Sequence, residues 1–463
     1  MKLFGTDGIR GIANTQLSPE LAFRLGYTAT QMLNKKRPQI LIGKDTRISS
    51  DMLESALASG VCSAGGDVIL LGIAPTPAVA YITRTGGFDY GVMISASHNP
   101  VEYNGIKFFN SRGLKLLDKE ENEIEEKINC KTITNQVIGA DIGKIINNTH
   151  YISNYCKFLT LIIQNSQPKR NCLFGKRVLL DCANGASCKI ASEIFSKLGA
   201  QVIVRNFEPN GCNINLNCGS TNIEKLQEYA RYANIDVAFA YDGDADRVLA
   251  LDENGQIVDG DKILCICGLD MKNRNILNKN TIVTTVMSNL GLTEFAKMYG
   301  LDIVKTKVGD RYVLESMLEN NYVLGGEQSG HIIFSQYSTT GDGILTSLIL
   351  TDILTRSNKK MSELADIIKV FPQVLINVKV SDYLKDNYMN LPKISLAISE
   401  TESEILDKDA GKILIRPSGT EPLIRIMIEG KNYRSIKEKA EKLAQFIREI
   451  DVNDRTPKEK FVY

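Results

Sequence analysis

The sequence has 463 residues, a formal net charge of +1, 43% hydrophobic residues and 24% charged residues. This length exceeds what one hydrophobic core serves and predicts three or four compact units, and the ordinary composition excludes a disordered chain. A charge near zero, without long basic runs, argues against nucleic acid and membrane surfaces as partners.

The cysteines and the N-terminus bear on the cellular compartment. Ten scattered cysteines and only three histidines argue against a zinc site and are typical of buried thiols in a reducing compartment. The N-terminal residues lack the hydrophobic core of a signal peptide, and no apolar stretch is long enough to cross a bilayer. We therefore expect a soluble, cytoplasmic protein.

The first third of the chain, residues 1–150, alternates strand and helix patterns. Ser18 and Pro19 have the form of a helix start, with serine as the N-cap and proline at the first helical position. Strands are predicted at residues 39–43, 67–71 and 90–94, and further helices at residues 50–64 and 118–128. This alternation favours a mostly parallel sheet with helices on its faces.

Two further α/β units are expected at residues 151–254 and 255–368. The predicted strands of these units lie at residues 177–181, 201–204 and 236–241 and near Ile282, Ile303 and Tyr322. The last unit, residues 369–463, is predicted to be α+β. Its strands are predicted at residues 374–380, 394–398, 411–415 and 423–428, before one closing helix at residues 436–450.

The first loop with candidate chemistry, residues 94–100, follows a predicted strand and contains Ser97 and His98. A serine in a polar turn can present its hydroxyl to a ligand, and Pro100 prevents a helix from continuing through Asn99. An ordinary turn serine beside a histidine is the alternative. The residues lack the G-x-S-x-G pattern, which argues against an acyl hydrolase.

The second loop places three carboxylates at alternate positions, those of Asp242, Asp244 and Asp246. Because their charges repel, they must bind a cation or face water, and hard oxygen ligands suit Mg²⁺ or Ca²⁺. The positions match part of an EF-hand loop ending at Glu253, but Arg247 replaces the required glycine and the flanks are predicted strands. A calcium sensor is thereby excluded, and a solvated acidic turn remains the alternative.

The third loop, residues 325–331, contains three glycines, which let the backbone approach a ligand closely. Its Glu327 and Ser329 can hydrogen-bond to neighbouring sugar hydroxyls, and an ordinary glycine-rich turn is an equally open alternative.

The fourth loop, residues 416–422, combines Arg416 with two hydroxyl side chains and a glycine. With Arg425 just beyond it, this turn can cradle a phosphate group, whereas a surface charge is the alternative for Arg416.

Together the four loops supply a nucleophile, a metal site, a sugar site and a phosphate site. In this order and spacing they resemble the loops of the α-D-phosphohexomutase superfamily, over essentially the whole chain. Residues 4–11, Ser95 and the segments 307–312 and 339–343 resemble its branch that acts on glucosamine phosphates. The resemblance implies an α/β fold of four-domain phosphohexomutase architecture. In it, three α/β domains with mixed sheets and a C-terminal α+β domain surround a central cleft.

The resemblance also implies the activity, which is interconversion of glucosamine 6-phosphate and glucosamine 1-phosphate on the route to UDP-N-acetylglucosamine. Ser97 is then the phosphoserine, and a bisphosphorylated sugar is the intermediate. Asp242, Asp244 and Asp246 become the Mg²⁺ ligands, together with an oxygen on Ser97. The rivals are a phosphoglucomutase or phosphomannomutase, which differs in sugar preference, and a non-catalytic phosphosugar-binding protein, which does not need Ser97.

Further roles follow from the same resemblance. Lys107 and His331 are both candidates for the general base, Arg10 is expected near the phosphoserine, and Arg247 either neutralises charge or only pairs with its acidic neighbours. The implied substrate-binding residues are Glu327, Ser329, Gly309, Asp310, Arg416, Ser418, Gly419, Thr420 and Arg425. Ala245 stands where many relatives have glycine, which matters only if the turn requires a positive φ. Relatives of the glucosamine branch are often homodimers, so the expected partners are a phosphosugar and, by analogy alone, a second copy.

Overall fold

The computed structural model describes residues 3–5, 7–129, 137–167, 171–409, 411–418 and 422–455. The chain divides into two units, the first formed by Met1–Val286 and Tyr299–Ile367 and the second by Met287–Met298 and Ile368–Tyr463. None of the helices in the described ranges combines the length and the apolar character that a membrane span needs. The domain boundaries expected after residues 150, 254 and 368 stay predictions.

The first sheet of the first unit is mixed. Its strands are β1 (Phe4–Gly5), β2 (Gly8–Ile12), β3 (Gln39–Lys44), β4 (Asp67–Ile73), β5 (Tyr90–Ile94), β6 (Tyr103–Asn110) and β7 (Ile145–Asn147). They lie in the order β1-β2-β6-β5-β3-β4-β7, with β5, β3, β4 and β7 parallel and β6 and β2 antiparallel to their neighbours. All of β5 is buried, as expected of a strand inside a covered sheet.

The helices of this region are α1 (Pro19–Met32), α2 (Ile48–Ser63), α3 (Thr76–Gly86) and α4 (Asp118–Asn129). Two of them, α1 and α4, begin where the sequence places them, and α2 begins two residues earlier than predicted. The Ser18 hydroxyl accepts a hydrogen bond from the Leu21 N–H at 3.2 Å, which confirms the predicted N-cap of α1. The sequence analysis missed α3, β2 and β6, and two of these elements carry residues of the site described below.

The second sheet contains the acidic loop. Its strands are β8 (Arg177–Asp181), β9 (Gln201–Arg205), β10 (Val237–Tyr241), β11 (Val248–Leu251) and β12 (Ile257–Val258), in the order β12-β11-β10-β8-β9. The accompanying helices are α5 (Tyr151–Ser166), α6 (Ile190–Lys197) and α7 (Glu224–Tyr232). β10 and β11 form an antiparallel hairpin in which Tyr241 pairs with Val248, so residues 242–247 are the hairpin loop. The strand flanks confirm the rejection of an EF-hand.

The third sheet completes the first unit. Its strands are β13 (Thr281–Thr285), β14 (Asp302–Thr306), β15 (Leu324–Gly326) and β16 (Ile332–Phe334), in the order β14-β13-β15-β16. Helices in this stretch of the chain are α8 (Gly260–Asn273), α9 (Leu290–Tyr299), α10 (Asp310–Asn320), α11 (Gly343–Ser357) and α12 (Met361–Ala365). The β15–β16 hairpin carries the glycine-rich loop.

The second unit takes most of α9 and a small antiparallel sheet. The strands are β17 (Gln373–Lys379), β18 (Lys412–Pro417) and β19 (Leu423–Glu429), in the order β17-β19-β18. The helices after β17 are α13 (Asp382–Asn387), α14 (Pro392–Asp409) and α15 (Tyr433–Arg455). Apolar residues of β19 and α15, among them Ile424, Ile426, Ile436 and Ile447, form one buried core.

One prediction for this unit is wrong. Residues 394–398 were expected to be a strand, but they lie in α14, so the unit has more than one helix. Ile394 is buried, and it lies on one helical stripe with the partly buried Ala397 and Ile398. The buried Ile405, further along the helix, continues the same stripe. A proline at the first position of the helix agrees with this assignment.

Candidate active site

Ser97 lies in the turn that follows β5, and its backbone is in the left-handed region, with φ of +53°. This conformation is uncommon for a residue with a side chain and needs support from its surroundings. The Ser97 N–H donates to the Ser95 hydroxyl at 2.9 Å, and that hydroxyl donates to Asp45 Oδ2 at 2.7 Å. The turn is therefore tied to the end of β3.

Arg47 stabilises the same turn through an ion pair and several hydrogen bonds. Its side chain is completely buried and pairs with Asp45 Oδ2 at 2.9 Å. The guanidinium donates to backbone carbonyl oxygens at 2.5–3.0 Å, namely those of Ser97, Asn99, Pro100 and Tyr103. Sequence reasoning missed Arg47 and Asp45, although an aspartate and an arginine directly after a buried strand were a usable signal.

The acidic loop brings the three predicted metal ligands together. Asp242, Asp244 and Asp246 are 1%, 0% and 3% exposed, and one oxygen of each lies within 4.8 Å of the others. Oδ1 of Asp244 and Oδ1 of Asp246 are buried without a hydrogen-bond partner. Buried carboxylate oxygens in such a cluster fit a hard divalent cation, and the alternative of a solvated turn is wrong.

The charges of this loop also favour a bound cation. Burial, together with the neighbouring Asp246 and Asp244, raises the pKa of Asp242 well above its usual range. Burial opposes ionisation of Asp246 too, but Lys107 and His331 hold its pKa well below the usual range. Ala245 has φ of +57°, so the turn does require a positive φ and Ala245 is strained there.

Ser97 and the acidic loop are in direct contact. The Ser97 hydroxyl donates to Asp242 Oδ2 at 2.5 Å. Behind this contact, the backbone of Gly243 is so close that a Cβ atom on it would lie 2.6 Å from the Ser97 carbonyl oxygen. The Asn215 side chain donates to the same carbonyl at 2.9 Å. The predicted nucleophile therefore faces the predicted metal ligands.

Lys107 lies on β6, paired with Met93 of β5, and is only 1% exposed. Its Nζ lies 2.9 Å from Asp244 Oδ2, 3.0 Å from Asp7 Oδ2 and 3.5 Å from Asp246 Oδ2. Although burial opposes the charge, Asp244 and Asp7 raise the pKa of Lys107 above its ordinary value. Lys107 is thus a buried cation beside the metal ligands rather than a surface lysine.

Two arginines approach the Ser97 turn. Arg247 Nη1 lies 3.3 Å from His98 Nδ1, and Arg10 pairs with Asp7 and donates to Asn99 Oδ1 at 3.2 Å. Nε of Arg10 and Nε of Arg247 are buried without a hydrogen-bond partner. Burial and these two cations lower the pKa of His98 to about 4, so its ring is neutral near pH 7.

His331 and Asp310 lie on the other side of the acidic loop. His331 Nδ1 is 3.7 Å from Asp246 Oδ2, and its Nε2 accepts the Gly341 N–H at 2.9 Å. Asp246 raises the pKa of His331 against the effect of burial, but the N–H that points at Nε2 requires an unprotonated nitrogen there. The hydrogen bond favours the neutral ring with its proton on Nδ1.

These side chains close into a ring in which acidic and basic residues alternate. Lys107 lies 3.0 Å from Asp7 and 3.5 Å from Asp246. His331 lies 3.7 Å from Asp246 and 3.4 Å from Asp310. Lys115 lies 2.5 Å from Asp310 and also pairs with Asp7, which closes the ring. Asp310, predicted to bind substrate, is therefore paired with Lys115 and lies beside His331. The sequence analysis assigned no role to Lys115, and Asp7 entered it only as part of the segment 4–11.

The glycine-rich loop lies beside this ring. Glu327 Oε1 accepts the Gly309 N–H at 3.2 Å, which brings together two of the predicted sugar-binding residues. Ser329 is exposed at the tip of the turn. A Cβ atom on Gly330, where φ is +90°, would lie 2.2 Å from the Val248 carbonyl oxygen, so glycine is required where the loop packs against β11.

The second unit contains the remaining predicted residues. Arg416 on β18 lies directly opposite Arg425 on β19. This register places two cationic residues beside each other on neighbouring strands, which suits an anion. Ser418 is buried, and its N–H donates to the Leu423 carbonyl at 2.9 Å. Gly419 and Thr420 lie outside the described residues.

Models of the phosphoglucomutase/phosphomannomutase family match the chain in four stretches. Alpha/beta/alpha domains I, II and III match residues 1–134, 153–255 and 259–371, and the C-terminal domain matches residues 375–446. Solved structures are similar in fold. A phosphoglucomutase/phosphomannomutase family protein from Burkholderia thailandensis superposes with a TM-score of 0.78 at 22% identity, covering 96% of this chain and 98% of that one.

Two further comparisons concern amino-sugar phosphates. The Aspergillus fumigatus N-acetylphosphoglucosamine mutase in complex with GlcNAc-6P and magnesium gives a TM-score of 0.68 at 18% identity, covering 97% of this chain and 96% of that one. The phosphoglucosamine mutases of Acetivibrio thermocellus and Clostridioides difficile are 53% and 51% identical over 458 and 456 residues. Each alignment covers 97% of this chain and 99% of the relative.

Proposed function

The chain belongs to the phosphoglucomutase/phosphomannomutase family, within the phosphohexomutase superfamily, and we infer that it interconverts glucosamine 6-phosphate and glucosamine 1-phosphate. The predicted family and its α/β fold are confirmed by matches over nearly the whole chain. The observation that carries the inference is the 2.5 Å contact between the Ser97 hydroxyl and Asp242 in a buried trio of carboxylates. The curated relatives place the chain in the glucosamine branch.

We propose that Ser97 carries a phosphoryl group in the resting enzyme. Ser97 passes this group to the free hydroxyl of the bound sugar phosphate, which becomes a bisphosphate. The other phosphate of that intermediate then returns to the serine, which gives the isomer. A loose transition state of this kind is stabilised mainly by positioning and by neutralising charge. The fixed left-handed backbone of Ser97 supports such a role, since it presents the hydroxyl in one direction.

Asp242, Asp244 and Asp246 would hold the divalent metal ion, and Mg²⁺ is our proposal for its identity because all donors are hard oxygens. When bound, the ion neutralises the oxygens of the transferring group. The Oδ1 atoms of Asp244 and Asp246 support this assignment, since both are buried and accept no hydrogen bond, and Arg247 Nε comes only within 3.8 Å of the Asp246 oxygen.

We propose that the cationic side chains around Ser97 bind the oxygens of its phosphoryl group. Nε of Arg10 donates no hydrogen bond, and Nε of Arg247 has only an ion pair with Asp246 Oδ1 at 3.8 Å, so both can donate to the phosphate; a neutral His98 can donate or accept without adding charge. Lys107 is held in its charged form, so it suits charge neutralisation and proton donation better than proton abstraction. Lys107 and His331 both stay candidates for the general base, since the Nε2 lone pair of His331 already accepts the Gly341 N–H.

We propose that Glu327 and Ser329 bind hydroxyl groups of the sugar, with the Gly309 N–H fixing Glu327. Asp310 is proposed to act by holding Lys115 as well as by binding substrate. Arg416, Ser418 and Arg425, with Gly419 and Thr420, are proposed to bind the phosphate that does not react. The cross-strand pairing of Arg416 with Arg425 supports an anion site there.

The decisive experiment replaces Ser97. Ser97→Ala should lose both the covalent phosphate, measured by intact mass and peptide mapping, and turnover of either glucosamine phosphate. Ser59→Ala, an exposed serine of α2, is the matched control and should keep both. Retained mutase activity in Ser97→Ala would overturn the mechanism. Retained tight binding of sugar phosphate in a wild-type protein without turnover would favour the non-catalytic binding protein.

The branch is tested by substrate preference. We expect turnover of glucosamine phosphates to exceed that of glucose and mannose phosphates, because the relatives at about half identity are phosphoglucosamine mutases. The reverse order would favour the rival phosphoglucomutase or phosphomannomutase. We also propose a cytoplasmic location, which the free thiols of the described cysteines support, and a homodimer, which sedimentation would test.

A further inference from the structure

We propose that Thr76 is a positioning residue that aims the Asp244 carboxylate and thereby sets the affinity of the aspartate trio for a divalent metal ion. This inference rests on the proposed function, since it takes the trio to be the metal site. It concerns a residue outside the four loops on which the sequence analysis and the proposed mechanism depend.

Thr76 is the first residue of α3, after Pro75 as the N-cap, and it is completely buried. Its hydroxyl donates to Asp244 Oδ2 at 2.6 Å, and its N–H donates to the Asp244 carbonyl oxygen at 3.0 Å. The first N–H groups of a helix have no acceptor within the helix. The start of α3 therefore uses both a backbone and a side-chain donor to hold one residue of the acidic loop.

The two donors leave Asp244 with one occupied and one open oxygen. Oδ2 receives the Thr76 hydroxyl and, at 2.9 Å, Lys107 Nζ. Oδ1 is buried and has no partner. Since a buried carboxylate oxygen without a donor is costly, Oδ1 is the atom left for a cation. The hydrogen bonds from Thr76 and Lys107 to Oδ2 therefore determine how the Asp244 carboxylate group is rotated.

Lys107 cannot fix this orientation by itself. Its ammonium group is shared among Asp244, Asp7 and Asp246, and it acts as a point charge that attracts from any direction. The hydroxyl of Thr76 has one proton to donate, and its position is set by the helix backbone. We infer that Lys107 supplies charge and Thr76 supplies direction.

Hydrogen-bond partners of metal ligands commonly change metal affinity by about 10- to 100-fold when they are removed. Thr76→Val keeps the branched shape of the side chain and replaces the donating hydroxyl with a methyl group. We therefore expect Thr76→Val to bind Mn²⁺ about 10- to 100-fold more weakly than wild type. Thr76→Ser keeps the hydroxyl and should bind close to wild type.

The measurement is Mn²⁺ binding to the full-length, dephosphorylated protein by electron paramagnetic resonance. A second readout is the Mg²⁺ concentration that gives half-maximal turnover, with KM for the sugar phosphate at saturating Mg²⁺ expected to stay unchanged. Thr83→Val is the matched control, because Thr83 is equally buried in α3 but its hydroxyl donates to the Val79 carbonyl within the helix. It should bind Mn²⁺ like wild type.

Wild-type Mn²⁺ affinity in Thr76→Val would overturn the inference, as would an equal loss in Thr76→Ser. If Thr76→Val does not fold, Thr76→Ala and Thr76→Ser differ only in the hydroxyl and make the same comparison. Asp244→Asn separates this inference from the proposed function. Should wild type bind no Mn²⁺, or Asp244→Asn bind it undiminished, the metal site itself is refuted rather than the role of Thr76.

Discussion

Substitution of Gly243 tests whether the spacing between the nucleophile and the acidic loop limits turnover. A Cβ atom on this glycine would lie 2.6 Å from the Ser97 carbonyl oxygen, 2.8 Å from Ile214 Cδ1 and 3.0 Å from Asn215 Nδ2. On the opposite side, Gly185 approaches so closely that its own Cβ would lie 2.3 Å from the Gly243 carbonyl oxygen. The loop is therefore confined between two backbone segments and cannot retreat from an added methyl group.

The size of the effect follows from these distances. Ordinary contact begins at 3.4 Å, so the Ser97 turn and the loop must separate by 3.4 − 2.6, or about 0.8 Å, in Gly243→Ala. A displacement of about 1 Å at reacting groups lowers the rate by about 100-fold. We therefore expect Gly243→Ala to lower kcat by about 10- to 100-fold.

The assay is steady-state conversion of glucosamine 1-phosphate at saturating Mg²⁺, with protein concentration corrected for the folded fraction. Gly143→Ala is the control, because its Cβ would lie 1.8 Å from the Gly66 carbonyl oxygen, a worse clash against a different segment. We expect Gly143→Ala to lower Tm but to keep the kcat of the folded protein. A wild-type kcat in Gly243→Ala, or the same loss in both variants, would refute the reasoning.

Arg47→Met should destabilise the Ser97 turn by about 3–5 kcal/mol because it leaves the carboxylate of Asp45 buried and unpaired. Hydrogen exchange of residues 90–100 measures this loss of stability. The control is Lys35→Met, at a half-exposed ion pair, which should change the free energy of unfolding by less than about 1 kcal/mol. Burial raises the pKa of Asp342 to about 6, so stability should fall as pH rises from about 4 to 6, where only the unfolded chain has lost this proton. Asp342→Asn should flatten that dependence of Tm, and an unchanged slope would contradict the assignment. Arg416→Ala should raise KM about 10- to 100-fold for both isomers through loss of charged hydrogen bonds, and an effect on one isomer alone would argue against a shared phosphate site.

The sequence was most informative where chemistry is concentrated in short loops. Ser97 and Asp242 each follow a buried strand, so their placement at strand ends could be predicted, and the three aspartates form the expected cluster. Their mutual contact could not be predicted, because it depends on how two separate sheets pack. It was supplied only by the resemblance of the whole chain to a family.

The supporting residues were harder to recognise. β6 is buried on both faces, so it lacks the alternation that marks a half-exposed strand, and Lys107 within it had the pattern of a loop lysine. Arg47 donates to backbone carbonyl oxygens, and Thr76 donates to the carboxylate of Asp244, which is distant in sequence. Such partners leave no local pattern in the sequence. The error at α14 has a related cause, because five residues are too few to distinguish a period of two from one of 3.6.

The alternating ring of acidic and basic side chains has a consequence for how this protein can change. Each acidic member lies between two basic side chains, so replacing one member disturbs two neighbours, and the effects of paired replacements should be strongly non-additive. Substitutions tolerated in the ring should therefore arrive as charge-balanced pairs, such as Lys115 together with Asp310. The N-terminal hairpin at Asp7 is then coupled, through shared electrostatics, to hairpin loops encoded more than 200 residues later, at Asp246 and His331.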